Sequence, residues 1–258
     1  ATDGSGNTSA CTFTVEVGSC NSAPFAVCQN ITVNADGNCE GNAAAANFDG
    51  GSTDPDGDAL TFTVSPSGPY GLGTTTVTIT VSDGLLSSSC TATVTVEDHT
   101  DPIIVCNATI NVSNDNGVCG AAVSYAVTQS DNCGGSMLTQ TGGLVSGSVF
   151  PIGTTTNSYV ATDAAGNTAS CAFEVIVNDN EAPVISCPAS ITVPEDSNSC
   201  GAVVMFGNAT ATDNCGTATL AQTSGLASGS AFPTGTTTVA FSATDANGNS
   251  ATCTFSVN

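Results

Sequence analysis

Three stretches of this chain are near copies of one another. ATDGSGNTSACTFTVEV fills 1–17, ATDAAGNTASCAFEVIV fills 161–177 and ATDANGNSATCTFSVN fills 243–258, with a degenerate copy, VSDGLLSSSCTATVTVE, at 81–97. Their cysteines, Cys11, Cys90, Cys171 and Cys253, stand 79, 81 and 82 residues apart. A fixed period near 80 residues means a tandem array of small domains and excludes one enzyme-sized fold. The period divides the chain into the closing hairpin of a preceding truncated unit (1–17), a divergent unit (18–97) and two matching units (98–178 and 179–258). The chain thus reads as a window on a longer polypeptide, with any targeting or anchoring segment elsewhere.

Within 179–258 the pattern is that of short strands. VISCPASITV (184–193) alternates, with Pro188 marking a break, and CGAVVMF (200–206), TATLAQTS (217–224) and TTTVAFSAT (236–244) follow. DANGN (245–249) is a hairpin turn with Gly248 placed for positive φ, and SATCTFSVN closes the unit. About seven strands with turns every 8–12 residues and no helical period predict a β-sandwich. The 98–178 unit matches it element for element, down to FPIGTTT (150–156) against FPTGTTT (232–238). In 18–97 the Asp-Asn-Cys loop is replaced by DPDGDAL, and an extra cysteine appears at Cys20.

So small a unit buries a modest core and calls for covalent help. Thirteen cysteines supply it and point to an oxidising, extracellular place at the cell surface or in secretion. A metal role for them is disfavoured by the absence of CxxC pairs and by a single histidine, His99, in a junction where a solvated residue is expected. There is no Lys and no Arg against 22 Asp plus Glu. Nothing in the chain neutralises phosphate, which excludes nucleic acid and anionic membranes as partners.

ISCP, then SCGAV, then ATDNCG, then FPTGTTTVAFSATDANGNSATCTF together resemble the hyalin repeat (HYR) domain. The resemblance covers 98–178 and 179–258 fully, and 18–97 less well for want of its DNC. It implies an all-β fold of tandem immunoglobulin-like β-sandwich domains, disulfide-stapled and arranged as an elongated array, extracellular and associated with adhesion. Arrays resembling this one also occur in large surface proteins of Bacteroidota, including adhesins linked to gliding.

In a sandwich the first and last strands lie side by side, which favours Cys28–Cys90, Cys106–Cys171 and Cys187–Cys253. It leaves Cys20–Cys39, Cys119–Cys133 and Cys200–Cys215, with Cys11 unpaired. The rival scheme, Cys20–Cys28 with Cys39–Cys90, uses as many cysteines, so parity does not choose.

Acidic residues gather at junctions and loop tips, where the sandwich topology brings Asp98, Asp101, Asp131 and Asp163 to one pole, and Asp179, Glu181, Asp213 and Asp245 to another. Clustered carboxylates are what Ca²⁺ takes, six to eight oxygens at a time, whereas Asx-turns need no ion. Asp54, Asp56 and Asp58 open like an EF-hand loop but lack the twelfth-position Glu. Catalysis is not expected: carboxylates repeated once per unit do not make a glycosidase site, and one junction histidine makes no nucleophile set. With three Tyr and no Trp, stacking platforms for sugars are scarce. The expected function is a non-enzymatic structural or adhesive segment, the stalk or fibre of a large cell-surface protein in adhesion or surface motility. It would meet a surface ligand or other copies of the repeat. The alternative is a self-assembling extracellular filament or sheath subunit, and a third class is a carbohydrate-binding array on a secreted hydrolase.

Overall fold

The computed structural model describes residues 1–15, 18 and 20–258. It divides into two compact units, Ala1–Thr100 with Asn132–Gly134, and Asp101–Asp131 with Gly135–Asn258.

In the first unit, Gly73–Ser82 and Ser87–Glu97 form a long antiparallel hairpin. Thr61–Ser65 joins one side of it antiparallel and Ile31–Asn34 joins the other in parallel, which makes a four-stranded sheet. The facing layer is built from Glu40–Gly41 paired with Tyr70–Gly71, and from bridges at Phe25–Thr53 and Cys28–Asp49. Alternation decides which side chains go inside: Val77, Ile79 and Val81 point inward with Ala92, Val94 and Val96, while the threonines between them face out. Phe48, on the 3₁₀ turn Ala45–Phe48, and Tyr70 plug this core from the other layer.

The leading segment makes its turn as the repeat predicts. Thr2 bridges Thr8, and Asp3 N–H donates to the Asn7 carbonyl at 2.8 Å. The rest of that copy includes Glu16 and Val17, which with Ser19 lie outside the described residues.

The second unit holds two cores. Around the first, Met137–Gly142, Gly153–Thr162, Thr168–Asn178 and Ile110–Ser113 form a four-stranded sheet in that order, with its last pair parallel. Facing it are Ile103–Val105 paired with Thr128–Ser130, and Gly120–Ala122 paired with Val149–Pro151. The second core repeats the plan with Thr219–Ser224, Thr237–Thr244 and Ser250–Val257, plus a parallel bridge from Ile191 to Val257. Val184–Ser186 pairs with Thr210–Thr212, and Gly201–Val204 with Ser230–Pro233. The expected strand at 184–193 stops before Pro188, which has no N–H to give.

The architecture is therefore all-β, built from immunoglobulin-like sandwiches. In the FPxGTTT motif the phenylalanine is a core plug, Phe150 in one core and Phe232 in the other, with Tyr70 in that place in the first unit. The glycine of the SCGA motif also has a reason. A Cβ on Gly120 would stand 2.5 Å from the Phe150 carbonyl oxygen, and one on Gly201 2.2 Å from that of Phe232. The short strands can pair there only without a side chain.

Four disulfides are formed among the described residues. Cys28–Cys90, Cys106–Cys171 and Cys187–Cys253 each clamp the closing strand of a sandwich to the segment before its parallel strand. The fourth corrects two expectations at once. Cys39 is bonded to Cys133, not to Cys20, so the Cys119–Cys133 pairing falls too. Both expectations assumed that the turn cysteine looks for a partner within its own sandwich. Cys39 instead sits at the tip of the Asp36–Glu40 turn, and the Asn132–Gly134 segment packs onto that turn, with Asn132 Nδ2 donating to the Asp36 carbonyl at 3.1 Å. Cys200–Cys215 is also absent: both cysteines are free, as are Cys11, Cys20 and Cys119.

Candidate functional site

The repeated ATD turn closes on its own aspartate. Asp245 Oδ1 accepts the N–H groups of Asn247 and Asn249 at 2.9 and 2.8 Å, and Asn249 Nδ2 donates to Oδ2 at 2.9 Å. Asp163 takes the same bonds from Gly166 and Asn167, and Asp3 takes them from Ser5 and Asn7. These are Asx-turns in which a carboxylate satisfies donors that the tight turn leaves over. Burial pushes Asp163 and Asp245 up, but the side-chain and backbone hydrogen bonds of the turn outweigh it and hold both below the ordinary value of 3.8.

A carboxylate held low stabilises the fold fully above its unfolded value and loses that contribution as pH falls through its folded one. The stability gap between the native chain and Asp245→Asn is expected to stay constant from pH 8 to about pH 5 and to narrow as pH falls below about 4. Urea unfolding across that range checks it, and a gap that does not narrow at all as the pH is lowered would mean the charge is not what matters.

Within the second unit the acidic residues of the 178–183 junction separate. Asp179 is buried and draws in donors from the ATD turn: Asn247 Nδ2 reaches its Oδ2 at 2.8 Å, and Asn249 Nδ2 reaches its carbonyl at 3.0 Å. Asp213 lies beside it. Its Oδ2 accepts the Cys215 N–H at 2.8 Å, and its Oδ1 is buried with no hydrogen-bond partner. One ligand atom each of Asp179, Asp213 and Cys215 lie within 4.8 Å of one another. Glu181 turns away. Its carboxylate accepts from Gly117 N–H at 2.9 Å and from Asn114 Nδ2 at 3.2 Å, which pins the turn that carries Cys119.

Of the four acidic residues expected at this pole, Asp179 and Asp213 therefore come together. Asp245 is linked to them through Asn249, and Glu181 serves another loop. Two carboxylates supply a partial shell for an ion that takes six to eight oxygens, so a calcium ion here would need water to complete it. The Cys215 thiol is pushed up to about 12, by burial first, then by its hydrogen bond with Cys119 and the negative charge of Asp179.

In the other set, Asp98 belongs to the first unit, and Asp101, Asp131 and Asp163 to the second. Asp98 is buried and accepts from Thr100 N–H at 3.0 Å. Asp101 is exposed, Asp131 is half-buried and Asp163 is committed to its turn. His99 is exposed and stands 3.3 Å from the Glu97 carboxylate, a surface contact worth little. Asp54 Oδ1 accepts from the N–H groups of Asp56 and Asp58, so the stretch that opens like an EF-hand closes a turn of its own. The asparagines that reach Asp179 were not among the expected residues. Their signal was present in the GN of ATDxxGN, but a sequence does not say which way an amide points.

Two matches of the HYR domain profile cover residues 97–177 and 178–258. The chain belongs to the HYR domain family. It is 35% identical to hyalin of Strongylocentrotus purpuratus over 208 residues, covering 77% of this chain and 17% of that protein. Against hyalin of Lytechinus variegatus it is 34% identical over 193 residues, covering 72% and 36%. The chain thus spans well under half the length of these curated relatives. Among solved structures, human CDH23 EC21-23 aligns over 92% of this chain and 100% of that one, with TM-score 0.39 and 14% identity. As an HYR segment the chain is extracellular, non-enzymatic and of the adhesion-repeat class.

Proposed function

We propose that this HYR segment is a braced length of an extracellular stalk or fibre, with 18–97, 98–178 and 179–258 as successive units and 1–17 as the hairpin of another. The observation that carries the reading is the Cys39–Cys133 bond, which adds to the clamp inside each sandwich a covalent tie from one repeat's turn to the next repeat's loop. Such a tie limits bending at a junction and gives a segment fit to hold a surface at a distance. The rival is lateral packing of the same repeats into a filament or sheath. The relatives matched are animal proteins, so neither a bacterial setting nor surface motility enters the reading.

Strands of six to eight residues at 3.3 Å each, with end loops, give about 35 Å per unit and about 100 Å for three. Small-angle scattering of the chain is expected to show a rod of that length whose mass stays that of one chain as concentration rises. Growth into multi-chain particles would favour the sheath. A second reading, calcium at Asp179 and Asp213, rests on the unpartnered Asp213 Oδ1. In the same samples, calcium that stiffens the rod in the native chain and leaves Asp213→Asn unchanged supports it, and no response removes it.

A further inference from the structure

The turn cysteines stand at equivalent places. In each, an aspartate N–H donates to the carbonyl of the residue after the cysteine: Asp36 to Glu40 at 2.8 Å, Asp115 to Gly120 at 2.7 Å and Asp196 to Gly201 at 2.9 Å. The residues before those carbonyls are Cys39, Cys119 and Cys200. The Asp-Asn-Cys loops dock on two of these turns, each through its asparagine amide, in one at the carbonyl of the opening aspartate and in the other at the carbonyl before the cysteine. Asn132 Nδ2 donates to the Asp36 carbonyl at 3.1 Å, and Asn214 Nδ2 to the Val118 carbonyl at 3.2 Å. At the first turn the cysteines, Cys39 and Cys133, are joined. At the second, the thiols of Cys119 and Cys215 are in hydrogen-bond contact but unbonded.

From this equivalence we infer that Cys119 and Cys215 form a disulfide in the mature protein, so that each turn cysteine bonds forward to the Asp-Asn-Cys loop of the next repeat. The inference goes beyond the stalk reading, because it fixes a pairing whatever the fibre does. Glu181 supports it, since its bonds to Gly117 and Asn114 hold the Cys119 turn against the start of the repeat that carries Cys215.

The oxidant is a disulfide, such as oxidised glutathione. Exposed Cys119 attacks it as thiolate, its own proton going to the glutathione thiolate that leaves. Cys215 then attacks the mixed disulfide at the Cys119 sulfur, and its proton goes to the second departing glutathione. Two protein thiols and one glutathione disulfide become one protein disulfide and two glutathione thiols, with two electrons passing to glutathione. The same rule reserves exposed Cys200 for an Asp-Asn-Cys loop on another copy of the repeat.

The test is a disulfide map of the unreduced chain, folded in a glutathione redox buffer and blocked with N-ethylmaleimide. Trypsin has no site here, but cleavage after Asp and Glu places Cys119 on peptide 116–131, Cys215 on 214–245 and Cys200 on 197–213. The expected result is a 116–131/214–245 pair, with Cys200 alkylated. In Cys119→Ser, peptide 214–245 is expected to carry one alkyl group. Alkylation of both Cys119 and Cys215 in the native chain overturns the inference. So does a 197–213/214–245 pair, in either chain.

Discussion

Replacing Cys106 and Cys171 together by alanine is expected to lower the stability of their repeat by about 4 kcal/mol. For a domain of about 80 residues that is a fall of roughly 15–30 °C in thermal midpoint. The bond joins residues 65 apart, so it removes much of the freedom of the unfolded chain. It also acts where the fold is weakest. Ile110–Ser113 is a four-residue strand held in parallel to the edge of Thr168–Asn178, and Cys106 lies just before it. Without the bridge that strand keeps four ladder positions and the packing of Ile110 and Val112. Calorimetry of the double variant, with hydrogen exchange to assign the transition to this repeat, reads the effect. A loss below about 1 kcal/mol would show that the hairpin and core hold the sheet closed unaided.

The three bridges inside sandwiches were legible because period and alternation locate the first and last strands, and a sandwich sets those strands side by side. The turn cysteines were not. Elimination pairs Cys119 with Cys133, as the two cysteines left over in one repeat. The strand Gly120–Ala122 leads away from the Cys119 turn, while Cys133 sits in a segment that belongs with the first unit. Register and turn chemistry are local matters. Which loop meets which turn depends on how consecutive repeats follow one another, and no residue pattern carries that.

The carboxylates show the same limit. Their gathering at loop tips was plain from the sequence, but Asp163 and Asp245 are spent on their own turns, and Glu181 on a turn 64 residues earlier. With no Lys or Arg anywhere, the carboxylates turn chiefly to side-chain amides and backbone N–H groups. Backbone donors at tight turns answer most of that demand. Phe48 escaped for another reason. AAANF has no strand alternation and is too short for a helical period, and only the packed core shows what its ring does.

Phe150→Ala is expected to cost about 3–5 kcal/mol, enough to unfold its repeat near physiological temperature. The ring is completely buried and sits edge-on to Tyr125, with centroids 6.3 Å apart. Tyr125 in turn packs edge-on to Phe173 at 4.9 Å, so one ring supports the next across the sandwich. Truncation leaves a cavity that the paired strands around it cannot collapse to fill, because Phe150 is hydrogen-bonded opposite Ala121. Phe232→Ala is expected to do the same in the following repeat, where Phe206 stands edge-on to it at 6.2 Å. Phe13→Ala is the contrast. Phe13 holds the motif position of Phe173 and Phe255 but is 83% exposed, so its loss is expected to change stability by less than about 0.5 kcal/mol. Chemical unfolding of the three variants separates burial from motif. Equal effects at Phe13 and Phe150 would sink the assignment of Phe150 as the plug of its core.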